Sequence, residues 1–430
     1  MAGLSQRAGR IAALHIKKEH GMAFGKLWVI AYRDLGRNRR RTVLTMIAVA
    51  LGLAILILMS GFIGGVMDGS LRESIRLQTG HVQLRADSYE IEKMSLQWAD
   101  LIDDSSALVA QAETMSAVQD ATPVLWASGI LSTIQETSGV QVTGIMPDGQ
   151  FHQPIREGMV AGQYLTPDAR GEILISKRLA DIMDIGVGQR VSLAVGNDEG
   201  QPEEGVFTVR GLFYTGIAGY DERTVFMPLS QAQAFTGAGD RASAIVIMLH
   251  NPDDAAAVAA ALQSPGITAL TWEDMNAVLR QLAQTGMSFY YLMYGIVILV
   301  VAVIIANTLL MAVFERVREI GILAALGMKR RQIMGMFLLE SASLALVGIV
   351  FGILLGSAAV AYLARVGIYI GEDVSAIASN IPITATMYTE FVPGDMVALS
   401  IAMLVVIVLA SMYPAWFAAR LQPVKALHSN

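Results

Sequence analysis

The sequence predicts an α-helical membrane protein with four transmembrane helices, one plus three, and a large α+β extracytoplasmic domain between the first and second. Three observations carry that expectation. The chain of 430 residues is 54% hydrophobic and 16% charged, with a mean hydropathy of +0.50. A soluble domain is about 45–50% apolar and about 25% charged. Four long apolar runs are unevenly spaced along it. Charge is divided unequally: residues 1–42 hold ten Lys and Arg against two acids, and residues 68–286 hold 13 against 28, a local net of −15. This composition excludes disorder. An acidic large domain repels phosphate, so no nucleic-acid partner is expected. With no cysteine, disulfides, thiol catalysis and cysteine metal sites are excluded.

A helix needs about 20 mostly apolar residues to cross a roughly 30 Å hydrocarbon core. The spans are read at 42–67, 287–314, 332–365 and 394–417. The first has no charge. Hydroxyls and one amide, Asn307, are the polar groups of the second. The third carries one acid, Glu340, near its start, where it reaches the headgroups and is a candidate for coupling. The fourth ends near Pro414.

Flanking cations set the orientation. Lys26, Arg33, Arg37, Arg39, Arg40 and Arg41 precede the first span. Arg316, Arg318, Lys329, Arg330 and Arg331 lie in the 315–331 loop, and Arg420 and Lys425 in the 418–430 tail. The 366–393 loop has no Lys or Arg. Both termini and the 315–331 loop are therefore expected in the cytoplasm, with 68–286 and 366–393 outside. The first span reads as a signal anchor rather than a cleaved leader. In residues 1–41, Phe24, Leu27, Trp28, Ile30, Ala31 and Leu35 interleave with the cations. That pattern suits an amphipathic helix on the inner leaflet, or else a solvated basic linker.

Within 68–286, helices are expected over 105–116, 177–183, 229–235 and 251–262, the last capped by Asn251. Strands are expected around Val82 and Leu84 and over 123–134, 141–145, 172–175, 190–195, 206–214, 224–228 and 244–249. The Gly/Pro-rich stretch 144–162 suggests a long loop or a boundary between two subdomains. His81, His152 and His250 lack metal-ligand spacing and are read as surface or capping residues. No catalytic constellation is present.

No nucleotide site is expected on this chain. The nearest approach to a P-loop, Gly21-Met-Ala-Phe-Gly25-Lys26-Leu27, has one residue too few and leucine where a hydroxyl should hold magnesium. The strongest functional signal is the cytoplasmic loop. Ile320, Leu323, Ala324 and Leu326 form an apolar face on a short helix that Gly327 stops. That face needs a cover: lipid headgroups, or a groove on a motor subunit.

The run Glu315-Arg-Val-Arg-Glu-Ile-Gly-Ile-Leu-Ala-Ala-Leu-Gly327 resembles the cytoplasmic loop of ABC permeases of the macrolide-exporter and lipoprotein-releasing superfamily, the FtsX-like, MacB-type permeases. Tyr413-Pro-Ala-Trp-Phe-Ala-Ala-Arg420-Leu-Gln-Pro-Val-Lys-Ala-Leu427 is similar to that family's ending, departing at Trp416-Phe417 where basic residues are common. Gly80-His-Val-Gln-Leu84 and Val142-Thr-Gly-Ile-Met-Pro147 resemble the lipoprotein-releasing branch. Gly171-Glu-Ile-Leu-Ile-Ser-Lys-Arg-Leu-Ala180 and Val187-Gly-Gln-Arg-Val-Ser-Leu193 resemble the family's external domain. The resemblance implies a dimer with an identical or paralogous permease in a bacterial inner membrane, bound to ABC ATPase subunits that hold ATP and magnesium. It implies that 315–331 is the coupling helix, with Glu315, Arg316, Arg318, Glu319, Ile320, Gly321, Leu323, Gly327, Lys329 and Arg330 engaging the ATPase.

Phe62, Val66 and Met67 lie at the outer end of the first span, and Met287, Phe289, Tyr290, Tyr291, Met293 and Tyr294 at the outer end of the second. Methionine adapts to varied apolar shapes and aromatics suit the interface. These residues either line a lateral opening for acyl chains of a lipoprotein or other amphiphile, or form ordinary helix packing with an aromatic belt. Three functions stay open at this level. One is a permease extracting an amphiphile from the outer leaflet. A second is mechanotransmission to an external partner such as a cell-wall hydrolase. The third is a membrane-anchored sensor or scaffold without an ATPase.

Overall fold

A computed structural model describes residues 39–91, 93–197, 200–371 and 383–421. The basic segment upstream of Arg39 and the tail from 422, with Lys425 and the end of the C-terminal motif, lie outside the described residues. In chain order the helices are α1 Arg39–Ser74, α2 Ser105–Glu113, α3 Gln153–Glu157, α4 Lys177–Met183, α5 Ala218–Asp221, α6 Leu229–Thr236, α7 Ala255–Leu262, α8 Trp272–Met275, α9 Ala277–Glu315, α10 Val317–Ala325, α11 Arg330–Val366 and α12 Pro393–Ala419. The strands are β1 Val82–Ala86, β2 Val118–Ser132, β3 Thr137–Ile145, β4 Met159–Gly162, β5 Glu172–Ser176, β6 Arg190–Gly196, β7 Pro202–Phe213, β8 Thr224–Pro228, β9 Ala244–Leu249, β10 Ile267–Thr271, β11 Ile368–Tyr369 and β12 Thr386–Met387. Among the described residues, α1, α9, α11 and α12 are long and apolar enough to cross a membrane. The described chain divides into two compact units.

One unit comprises 39–65, 286–366 and 388–421. Its core interleaves Val49, Leu53 and Ile57 of α1, Val301 and Ile305 of α9, Ala345 and Ile349 of α11, and Met403 and Ile407 of α12. On the opposite faces Leu51, Ile55, Leu299, Leu354 and Leu409 are exposed. Apolar surface on that scale needs a lipid or protein cover.

Glycines set the closest approaches. A Cβ on Gly348, Gly352 or Gly356 of α11 would come within 2.7–2.9 Å of the Cβ of Val49, Leu53 or Ile57. These small residues, four apart, let the two backbones meet. The pair Gly61 and Gly65 serves a different contact. Its Cβ positions would fall 2.8 Å from the carbonyl oxygen of Glu390 and 2.0 Å from that of Tyr388, so α1 receives an extended segment there rather than a helix. The Glu390 amide donates to the Gly61 carbonyl at 2.9 Å, and Thr389 Oγ1 donates to the Val360 carbonyl at 2.8 Å.

The other unit comprises 66–285 and 367–387. Its main sheet has ten strands in the order β10-β1-β9-β2-β3-β8-β5-β7-β4, with β6 pairing β2 and β7. Only the β3–β8 and β5–β7 pairs are parallel. The long β2 ties the sheet together: 118–124 pairs with β9, while 125–132 pairs with β3. The sheet is thus continuous across 144–162, where the sequence suggests a loop or subdomain boundary; α3 and β4 occupy part of that stretch. Asn251 caps a separate 3-10 turn, Pro252–Asp254, ahead of α7. β10 has no counterpart in the sequence reading, because all five of its residues are half-buried and give no alternation. The β11–β12 hairpin lies within the 366–393 loop, where Thr384 also bridges Ile217.

Two of the histidines read as surface or capping residues are interior. His81 is buried and its Nδ1 accepts from the Leu249 amide at 2.8 Å. His152 is 3% exposed, edge-on to Phe151 and Phe226. Burial lowers the pKa of both, that of His152 to about 3, so its ring is neutral at physiological pH.

Candidate functional site

The 315–331 loop folds as an elbow between two long helices. α9 ends at Glu315 because Arg316 leaves the helical region, at φ −112° and ψ 17°. α10 follows for nine residues. Gly327, at φ +93°, stops it: its amide donates to the Ala324 carbonyl, and the Met328 amide to that of Leu323, both at 3.1 Å. A left-handed glycine at a helix C-terminus satisfies carbonyls that would otherwise be orphaned. The Gln332 side chain then accepts from the Lys329 amide at 2.8 Å as α11 begins.

The two faces of α10 have different partners. Ile320 is 2% exposed and packs in one cluster with Val313, Ile333, Met336, Phe337, Ala415 and Ala418, and Gly321 is buried beside it. The expectation that Ile320 belongs to an uncovered docking face is therefore corrected: α11 and α12 of this same chain cover it. The outward face consists of Arg318, Ile322 and Leu326, with Ile322 45% and Leu326 81% exposed. Glu319 and Leu323 are half-buried between the faces. Beside them lies a concavity of about 300 Å³ lined by Glu319, Ile322, Leu323, Met336 and Phe337, with Arg316 at one side. Met336 and Phe337 escape the sequence reading because they lie inside an apolar span, where nothing marks one turn from the next.

Charge ties the elbow down. Arg41 donates to Glu315 at 2.9 Å, linking α1 to the end of α9. Arg316 and Glu340 are both buried, with Nη1 and Oε2 3.9 Å apart. Glu340 thus faces the protein interior rather than the headgroups. Lys329 and Arg330 are exposed.

The residues read as lining an acyl-chain opening differ in environment. Tyr294 is buried in the helix core, with Tyr290 packed against it. Phe289 and Tyr291 are exposed. Phe62, Val66, Met67, Met287 and Met293 are half-buried.

Residues 42–264 match the family of MacB-like periplasmic core domains, and residues 291–423 the FtsX-like permease C-terminal family. The chain is 25% identical over 413 residues to the lipoprotein-releasing system transmembrane protein LolC of Neisseria meningitidis serogroup B, covering 91% of this chain and 95% of that one. It is 24% identical over 419 residues to the macrolide export ATP-binding/permease protein MacB of Sodalis glossinidius, covering 93% of this chain and 60% of that relative. Among solved structures, the periplasmic region of MacB from Actinobacillus actinomycetemcomitans matches 49% of this chain and 97% of its own, at 14% identity and a TM-score of 0.33. With one family match over slightly more than half of its length and a second over most of the remainder, the chain belongs to the FtsX-like, MacB-type family of ABC transporter permeases.

Proposed function

We propose that this chain is the permease subunit of an ABC transporter that extracts or exports a lipoprotein or other amphiphile from the outer leaflet of a bacterial inner membrane. The observation that carries the reading is the elbow: a short helix with its inner face locked to α11 and α12 and its outer face bare. A push on Arg318, Ile322 or Leu326 passes through Ile320 and the Arg316–Glu340 pair into the long helices. ATP and magnesium belong to a separate ATPase subunit that receives this outer face. Both termini and the elbow are cytoplasmic, four helices span the membrane, and the sheet unit is periplasmic. A second permease, identical or paralogous, completes the dimer. The likeness to LolC supports a lipoprotein as cargo, with Phe62, Val66, Met67, Met287, Tyr290, Tyr291 and Met293 as the acyl-chain lining.

The test is reconstitution of the permease, its ATPase subunit and an acylated lipoprotein in proteoliposomes. ATP-dependent release of the lipoprotein is expected, together with photocrosslinks from Met67 and Tyr291 to lipid or cargo. Failure of any ATPase subunit to co-purify contradicts the transporter reading. ATP hydrolysis without release favours mechanotransmission to an external partner.

A further inference from the structure

The sheet unit contains a pocket of its own. Its volume is about 310 Å³. Small-molecule sites span roughly 300–1,000 Å³, so this one holds one short chain or ring system, not a lipid with two or three long tails. One wall is aromatic, formed by Trp126, Phe151, His152, Tyr220 and Phe226. His152 belongs to that wall, and its buried Nε2 has no hydrogen-bond partner among the described residues. Leu77 and Ile217 add aliphatic surface.

The mouth has the opposite character. Arg223 both lines the pocket and is exposed. Its two acidic chain neighbours are engaged elsewhere. Glu222 accepts from Arg178 Nε at 2.7 Å, and the Asp221 carboxylate accepts from the Thr215 and Gly216 amides. No carboxylate among the described residues pairs with Arg223. In a region with 28 acids against 13 cations, a guanidinium that lines an aromatic pocket with no carboxylate partner among the described residues is suited to an anion.

We propose that this pocket binds a single-chain fatty carboxylate, its short apolar tail against the aromatic wall and its head on Arg223. The site lies in the sheet unit alone and requires neither ATP nor an ATPase, so it stands or falls independently of the transport reading. Trp126 in the wall supplies the probe. The full chain is placed in nanodiscs with Trp28, Trp98, Trp272 and Trp416 replaced by Phe, and titrated with decanoate carrying a terminal bromine, a quencher. Saturable quenching is expected. It should weaken at least tenfold for Arg223→Glu, for Gln141→Phe at the pocket wall, and for the uncharged methyl ester. In the otherwise unaltered chain, Trp126→Phe should remove the saturable component, which guards against misfolding of the multiply substituted protein. Quenching that rises linearly without saturation reports partition into the bilayer and overturns the proposal. So does saturable quenching that Arg223→Glu and the ester leave unchanged.

Discussion

Ile320 on α10 and Leu326 at its C-terminal end lie six residues apart and do opposite work. Ile320, at 2% exposure, belongs to the core that α11 and α12 build; Leu326, at 81%, belongs to no core of this chain. Both are β- or γ-branched aliphatics on one amphipathic stretch, and hydropathy alone ranks them as equals. Under the proposed function, the difference teaches that this helix needs two apolar patches, one gripping the permease and one offered outward. Damage to the first should appear as lost fold, and damage to the second as lost association.

The largest effect should break the inner face. Ile320→Asp places a carboxylate among Val313, Phe337 and Ala415, and is expected to destabilise the helix unit by about 4 kcal/mol or more. Fluorescence-detected size exclusion should show aggregated or absent permease. A well-folded Ile320→Asp protein with normal ATPase binding would remove the distinction between faces.

Next is the clamp beneath the elbow. Glu340→Ala leaves Arg316 buried opposite a cavity, and breaking such a pair costs about 3–5 kcal/mol. Replacing both, as Arg316→Met with Glu340→Leu, should recover most of the melting temperature while uncoupling ATP hydrolysis from release. Recovery of coupling along with stability would reduce the pair to packing.

A third prediction supplies a control in the other unit. Burial raises the pKa of Asp221 in the sheet unit from 3.8 to about 6, despite hydrogen bonds from Thr215 and Gly216. Folding therefore favours the protonated form. That contribution is fully present below about pH 4 and is lost as pH rises through about 6. The stability difference between the wild type and Asp221→Asn should change by up to about 3 kcal/mol across that window. Denaturant melts at pH 4 and pH 7 measure it. ATPase association should be the same for both proteins at pH 7, because Asp221 lies outside the helix unit.

Much of this architecture is visible in the sequence because its signals are long or strictly periodic. The apolar runs that become α1, α9, α11 and α12 exceed any ordinary buried helix. α4 at Lys177–Met183, β8 at Thr224–Pro228 and β9 at Ala244–Leu249 have the bounds that their patterns suggest, since Ser176 caps α4 and β8 ends on a proline. What stays hidden depends on partners far along the chain. Gly61 and Gly65 look like a helix-packing motif, yet they admit the backbone at Tyr388 and Glu390. Glu340 is plain as an acid in an apolar run, but nothing local identifies Arg316, 24 residues earlier, as its mate. For α10 the amphipathic period groups Ile320, Leu323, Ala324 and Leu326 on one face, whereas Ile320 is buried and Leu326 is exposed. Which part of that face the chain itself covers is decided by Met336, Phe337 and Ala415, and periodicity contains no information about them.

The smallest structural perturbation is the most informative. Leu326→Asp, alone and with Ile322→Asp, alters side chains that are already exposed, so the melting temperature of the permease should stay within about 2 °C. The decisive measurement is the affinity of the ATPase subunit for these variants in nanodiscs. The outward-face account predicts binding at least tenfold weaker, a loss of about 1.4 kcal/mol, with the fold intact. Unchanged affinity for the double variant would contradict it.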